Sequence, residues 1–148
     1  MNMITILIIV ITWRFMSNKL FIKLDKIRDF DVTKPLTKAG LLVEREARMN
    51  CPVNTGNLRS SITSEVEGNT ATIGTNVEYA PYVEFGTGLF AKNGDGRQDV
   101  PWVYRDDEGN YHSTSGMKPQ PYLLPALDDN RDAIKDIFNE AIKEAISD

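Results

Sequence analysis

Two periods organise the hydrophobic and polar positions of this chain. Near its C-terminal end, Ile134, Ile137, Phe138, Ala141, Ile142, Ala145 and Ile146 recur at steps of three and four, which is the repeat of one helix face. Asp128, Asp129 and Asp132 lie at the start of that stretch, where the helix dipole favours negative charge. A second amphipathic helix is predicted from Thr33-Lys34-Pro35 to about Met49. Leu36, Ala39, Gly40, Val43 and Ala47 share one of its faces, and Glu44, Arg45, Glu46 and Arg48 fill much of the other. Thr33 is its expected cap, and Pro52 stops it.

Between these helices the period falls to two. Leu58 to Glu67 sets Leu58, Ile62 and Val66 against Arg59, Ser61, Thr63, Glu65 and Glu67, which predicts a half-buried strand. Gly68-Asn69 is a two-residue hairpin loop, and Ala71, Ile73 and Thr75 continue the alternation on the return strand. Val100–Tyr104 and Tyr111–Ser115 flank the polar run from Asp106 to Asn110 and predict a second, projecting hairpin within residues 88–117. In Tyr79–Gly86, Pro81 stands five positions before Gly86, the arrangement of a short helical turn rather than an edge strand. Thr87–Asp99 reads as a surface loop, and Lys19–Asp25 as a short strand. Lys118-Pro119-Gln120-Pro121 must run extended, because each proline disfavours helical backbone in the residue before it.

The expected fold is therefore α+β: an N-terminal helix, an antiparallel β-sheet built from hairpins, and a long C-terminal amphipathic helix packed on the sheet. A length of 148 residues fits one domain. Residues 1–15 stand apart. Met3–Trp13 is an uncharged, isoleucine-rich run of eleven residues, shorter than the roughly 17–25 that span a bilayer, and its nearest cation, Arg14, follows it rather than preceding it as in a secretory signal. The expectation is a domain at 16–148 that starts at Met16. An added edge strand or a weak membrane anchor are the alternatives for the leader.

Composition removes much enzymology. With one cysteine, Cys51, and one histidine, His112, there can be no internal disulfide, no Cys/His zinc cluster and no two-histidine protease helix. The net charge of −4 gives no general attraction for phosphate backbones, so a sequence-specific nucleic-acid partner is not expected. The charge is uneven, about +3 over residues 1–75 and −7 over 76–148, which suits head-to-tail contact between like molecules or simply leaves a solvated acidic helix.

His112 lies near Asp106, Asp107 and Glu108 in sequence but has no nucleophile to activate, and it reads as an exposed hairpin residue. Cys51 lacks a nearby base and reads as a small semi-buried thiol. Asp106–Asn110 lacks the spaced ligands of a calcium loop, and Gly94-Asp95-Gly96-Arg97 lacks the ending of a phosphate-binding loop. No catalytic residue, cofactor or metal is expected. Two rival readings remain: a monomeric binding module using the Trp102, Tyr104 and Tyr111 hairpin as its platform, and a metal-dependent hydrolase or nuclease using Glu78, Glu84, Asp106 and Asp107.

Three segments make specific backbone demands. Pro52-Val53-Asn54-Thr55-Gly56-Asn57-Leu58-Arg59-Ser60-Ser61-Ile62 leaves the first helix through a proline and a Thr-Gly turn that suits a positive φ at Gly56. Tyr79-Ala80-Pro81-Tyr82-Val83-Glu84-Phe85-Gly86-Thr87 sets Tyr79, Tyr82 and Phe85 at helical spacing. Pro119-Gln120-Pro121-Tyr122-Leu123-Leu124-Pro125-Ala126 leads rigidly into the last helix. Together and in this order they resemble the small neck or tail-completion proteins of tailed bacteriophages, the tail-component family of siphophages and prophages, from about Thr33 to the C-terminal helix. Two features depart from that pattern: the apolar leader, and Cys51 where the family commonly has alanine.

The resemblance implies a virion structural protein without catalysis. It would be assembled in the host cytoplasm as a hexameric ring at the neck, completing the tail and joining it to the head. Its partners would be further copies of itself, connector or head-completion proteins, and tail-tube or tail-terminator proteins, with no membrane partner. The residues that carry the signature, and the expected assembly contacts, are Pro52, Thr55, Gly56, Leu58, Arg59, Ser61, Ile62, Tyr79, Ala80, Glu84, Gly86, Thr87, Pro119, Pro121 and Pro125. Arg59 and Glu84 are the expected charge pair between the first two segments, within or between subunits, the alternative being that both are solvated.

Overall fold

A computed structural model describes residues 30–147 apart from Asn93, Asp95 and Asp107. The leader, the Met16 start and the Lys19–Asp25 strand lie outside the described residues. The first helix, α1 (Thr33–Asn50), buries Leu36, Ala39, Gly40, Val43 and Ala47 as its spacing requires. Its cap differs from the expected one. The Thr33 amide donates to Asp31 Oδ1 at 2.9 Å, so Asp31 supplies the acceptor and Thr33 is the first helical residue. Thr33, through its side chain first and its amide second, draws the Asp31 carboxyl below its ordinary pKa. At the other end Cys51 turns extended ahead of Pro52, as a residue before proline must.

Residues 57–61 correct the predicted strand: they form one helical turn, α2 (Asn57–Ser61). Gly56, with φ of 83°, turns the chain into it, and the hydroxyls of Ser60 and Ser61 bond back to the carbonyls of Asn57 and Leu58. Serine side chains offer the backbone this local alternative to a sheet ladder. The strand proper, β1 (Thr63–Glu67), pairs antiparallel with β2 (Thr70–Gly74) across the Gly68-Asn69 turn, with Ser64 opposite Ile73 and Val66 opposite Ala71. Next come α3 (Ala80–Phe85), a 3-10 turn at Gly88–Phe90, and the second hairpin, β3 (Trp102–Arg105) with β4 (Tyr111–Thr114). The two hairpins are separate two-stranded sheets.

The last helix also differs in detail. It comes in two pieces, α4 (Leu123–Asp128) and α5 (Arg131–Ser147). The helix that lies on the β1–β2 hairpin is α1, while α4 and α5 pack against α1. The approach is close and lined by small residues: a Cβ built at Gly40 would stand in ordinary contact, 3.4 Å from Ser64 Cβ and 3.8 Å from Ala71 Cβ. With the sheet face taken, the C-terminal stripe packs on the helix layer instead. Ile134 is buried there, and Ile137 and Phe138 are half-buried against the core. Leu36, Val43, Ile62, Ile73, Leu123 and Tyr122 fill the centre. Each large aliphatic chain among them contributes roughly 1.5–3 kcal/mol by leaving water, more than the roughly 0–1 kcal/mol of an exposed ion pair.

Candidate functional site

The three signature segments, far apart in sequence, meet around one open groove. Its volume is about 600 Å³, and its walls include Val53 and Leu58 from the first segment, Tyr79 and Tyr82 from the second, and Gln120 from the third, with Met117 just ahead of it. No charged side chain lines it.

Backbone hydrogen bonds fix the three walls to one another. The Gln120 amide donates to the Val83 carbonyl at 2.8 Å, the Thr87 amide to the Met117 carbonyl at 2.9 Å, and the Met117 amide to Thr87 Oγ1 at 2.9 Å. Gly86, with φ of 78°, lets the strap come this close: a Cβ there would stand 2.7 Å from the Met117 carbonyl oxygen and 2.8 Å from Pro119 Cδ. On the first wall, the Asn57 amide donates to Thr55 Oγ1, and Ser61 Oγ lies 2.6 Å from Thr75 Oγ1, tying α2 to the end of the hairpin. Ile62 is buried and its carbonyl accepts both Nε and Nη2 of Arg48, which also pairs with Glu44 at 2.9 Å.

Glu84 is the one buried charged residue among those described, 3% exposed. Its Oε2 accepts the amides of Tyr122 and Leu123 at 2.8 and 3.0 Å, and its Oε1 accepts that of Leu124 at 3.0 Å. Pro125, the next residue of α4, carries no amide proton. The start of a helix normally leaves such amides without partners; here one carboxylate and one proline settle them all. Glu84 therefore joins the second segment to the third, and the expected Arg59–Glu84 ion pair is not formed within the chain: Glu84 is neither solvated nor paired with Arg59, and Arg59 is exposed on α2. Ala80 and Leu58 are buried, while Pro121 is exposed on the strap.

Cys51 and Tyr122, next in sequence to the first segment and within the third, are both buried. Burial pushes the Cys51 thiol above its ordinary pKa, with Glu84 adding to the rise and Arg59 opposing it. The Tyr122 hydroxyl is raised well above the tyrosine range, chiefly by burial and then by Glu84. It is also the buried side-chain polar atom without a hydrogen-bond partner among the described residues. A thiol and a phenol held protonated in this way are poor nucleophiles. His112 lies away on β4, where its Nε2 bonds Asp106 Oδ2 at 2.7 Å and its ring stacks on Tyr104. Among the described residues, no group of three or more His, Cys, Asp or Glu side chains is gathered to hold a metal ion, and no helix is long and apolar enough to cross a membrane.

Sequence reasoning placed Glu84 in the signature but missed its partner. A signal was present: a carboxylate between Val83 and Phe85, followed forty residues on by a helix start that closes on a proline. What the arrangement can do is present an uncharged, aromatic-walled recess on a stiff frame. Residues 22–86 match the model of the family described as "Bacteriophage HK97-gp10, putative tail-component", a little under half of the chain, containing the first signature and the second as far as Gly86. No curated protein and no solved structure gives a significant match.

Proposed function

We propose that this chain, which is similar over residues 22–86 to a phage tail component, is a structural subunit of the virion neck. In this reading it completes the tail and joins it to the head as one member of a ring, hexameric by resemblance, and performs no catalysis. Residues 16–148 would act as a single domain. The observation that carries the reading is the convergence of the three signature segments on one uncharged groove whose frame is locked by Glu84 and the Val83–Gln120 bond. A site for chemistry gathers charged groups into its recess; this one has no charged side chain in its walls. That suits a surface which receives a neighbouring protein, with the connector on one side of the ring and the tail tube or terminator on the other.

The aromatic arm favours a second reading. Val103 and Tyr111 are 63% and 75% exposed, so the β3–β4 hairpin could serve as the platform of a monomeric binding module.

The test is an amber mutation in this gene within a phage that carries it, with lysates imaged by electron microscopy. Filled heads and separate tails, rejoined when the gene is supplied in trans, are expected. Normal virions made without the protein, or turnover of a substrate by the purified chain, would overturn the proposal.

A further inference from the structure

Resting on that reading, and specifying which surfaces meet, we infer that copies of this chain join through the outer face of α1 on one copy and the outer face of α5 on the next. Five of the exposed positions of α1 form one stripe, Lys34, Lys38, Leu41, Arg45 and Met49, spaced by three and four residues, with Arg45 also paired to Glu46 at 2.8 Å. It holds three cations and no acid. Leu41 and Met49 within it are 54% and 64% exposed. The exposed positions of α5 hold a ladder of acids at every fourth residue, Asp132, Asp136, Glu140 and Glu144. Lys135 pairs with Asp132 at 2.9 Å, and Asp136, Glu140 and Glu144 are in no ion pair among the described residues.

Like charges four residues apart destabilise an isolated helix, and both stripes contain them. Each stripe therefore carries a repulsion that the other can relieve, since both repeat at the same helical spacing. The pairing is asymmetric, a basic face to an acidic one, which is the kind of contact that closes a ring rather than a self-complementary dimer face. Apolar surface is on hand for the seam on the α1 side, where Leu41 and Met49 are exposed within the stripe. α1 and α5 also touch within one chain, but the charged residues named here are exposed.

The test uses two full-length variants, Lys34→Glu with Lys38→Glu, and Asp136→Lys with Glu140→Lys, followed by sedimentation velocity. The wild type is expected to associate at low ionic strength and to weaken about tenfold or more in 1 M salt, where the screening length is about 3 Å. Each variant alone is expected to stay monomeric, because its two faces then share one sign. An equimolar mixture is expected to assemble, because each copy now offers what the other lacks. Circular dichroism of each variant separates loss of contact from loss of fold, and assembly of the mixture shows both to be folded. A wild-type chain that stays monomeric, variants that assemble by themselves, or folded variants whose mixture does not assemble would overturn the contact. The phage lysate experiment reads the neck role separately, so variants that assemble through another surface would remove this interface and leave that role standing.

Discussion

Glu84 and Pro125 divide the start of α4 between them: the carboxylate takes the amides of Tyr122, Leu123 and Leu124, and the proline has none to offer. A buried acceptor with three donors leaves all three unsatisfied when removed, and each such group costs about 1–3 kcal/mol. Glu84→Ala is expected to lower stability by about 3–5 kcal/mol in urea unfolding. Glu84→Gln keeps one carbonyl acceptor and is expected to lose roughly half as much.

Two glycines with similar φ but different ψ, −7° at Gly56 and 179° at Gly86, are expected to respond differently. Gly56 and Gly86 have φ of 83° and 78°, but a Cβ at Gly56 meets nothing within 4 Å while one at Gly86 runs into the Met117 and Pro119 backbone. Gly56→Ala is expected to cost only the conformational strain, about 1 kcal/mol. Gly86→Ala must also push the strap away, and is expected to cost about 3 kcal/mol and to speed exchange of the Gln120 amide in hydrogen-exchange measurements.

The Tyr122 hydroxyl is buried without a partner, so deleting it removes a desolvated polar group and little packing. Tyr122→Phe is expected to leave stability unchanged or raise it by up to about 1 kcal/mol, read as the midpoint of thermal unfolding. A loss of more than about 1 kcal/mol would mean that the hydroxyl has a partner after all.

Much of this was legible in advance, because helix and hairpin periods depend only on which residues are apolar. Gly68-Asn69, Pro81 with Gly86, and the two strap prolines each impose local geometry, and each element formed where they required it. What failed was long-range. Leu58–Ser61 alternates like a strand for four residues, too few to outweigh the Gly56 turn and the serine back-bonds. The covering of the sheet by α1 brings Gly40 against Ala71, a contact between positions thirty-one residues apart. Glu84 looked like a surface charge because its three partners lie about forty residues downstream.

The tip of the second hairpin should respond to acid. Asp106 accepts His112 Nε2, the Asn110 amide and Asn110 Nδ2; a carboxylate can only accept, so the imidazole nitrogen is the donor. These bonds, His112 first, hold the Asp106 carboxyl below its ordinary value of 3.8. Its folded pKa thus lies under its unfolded one, so the stabilisation is complete above the ordinary value and is lost as pH falls through the folded pKa. The protection of the Asn110 amide, its exchange rate compared with that of an unstructured amide at the same pH, is expected to fall below about pH 4, as read by nuclear magnetic resonance, and Asp106→Asn is expected to remove that dependence.

The β3–β4 arm leaves and re-enters the body at one place, where Thr87 and Leu89 bond Met117 and Ser115. None of its strand residues is buried, and closing a loop of this length costs little more than closing one half as long. The hairpin is thus a graft on a finished stem. Its sequence is free to diverge between homologues, to be trimmed to a tight turn, or to carry an inserted fluorophore or affinity peptide, while the body beneath it keeps its shape.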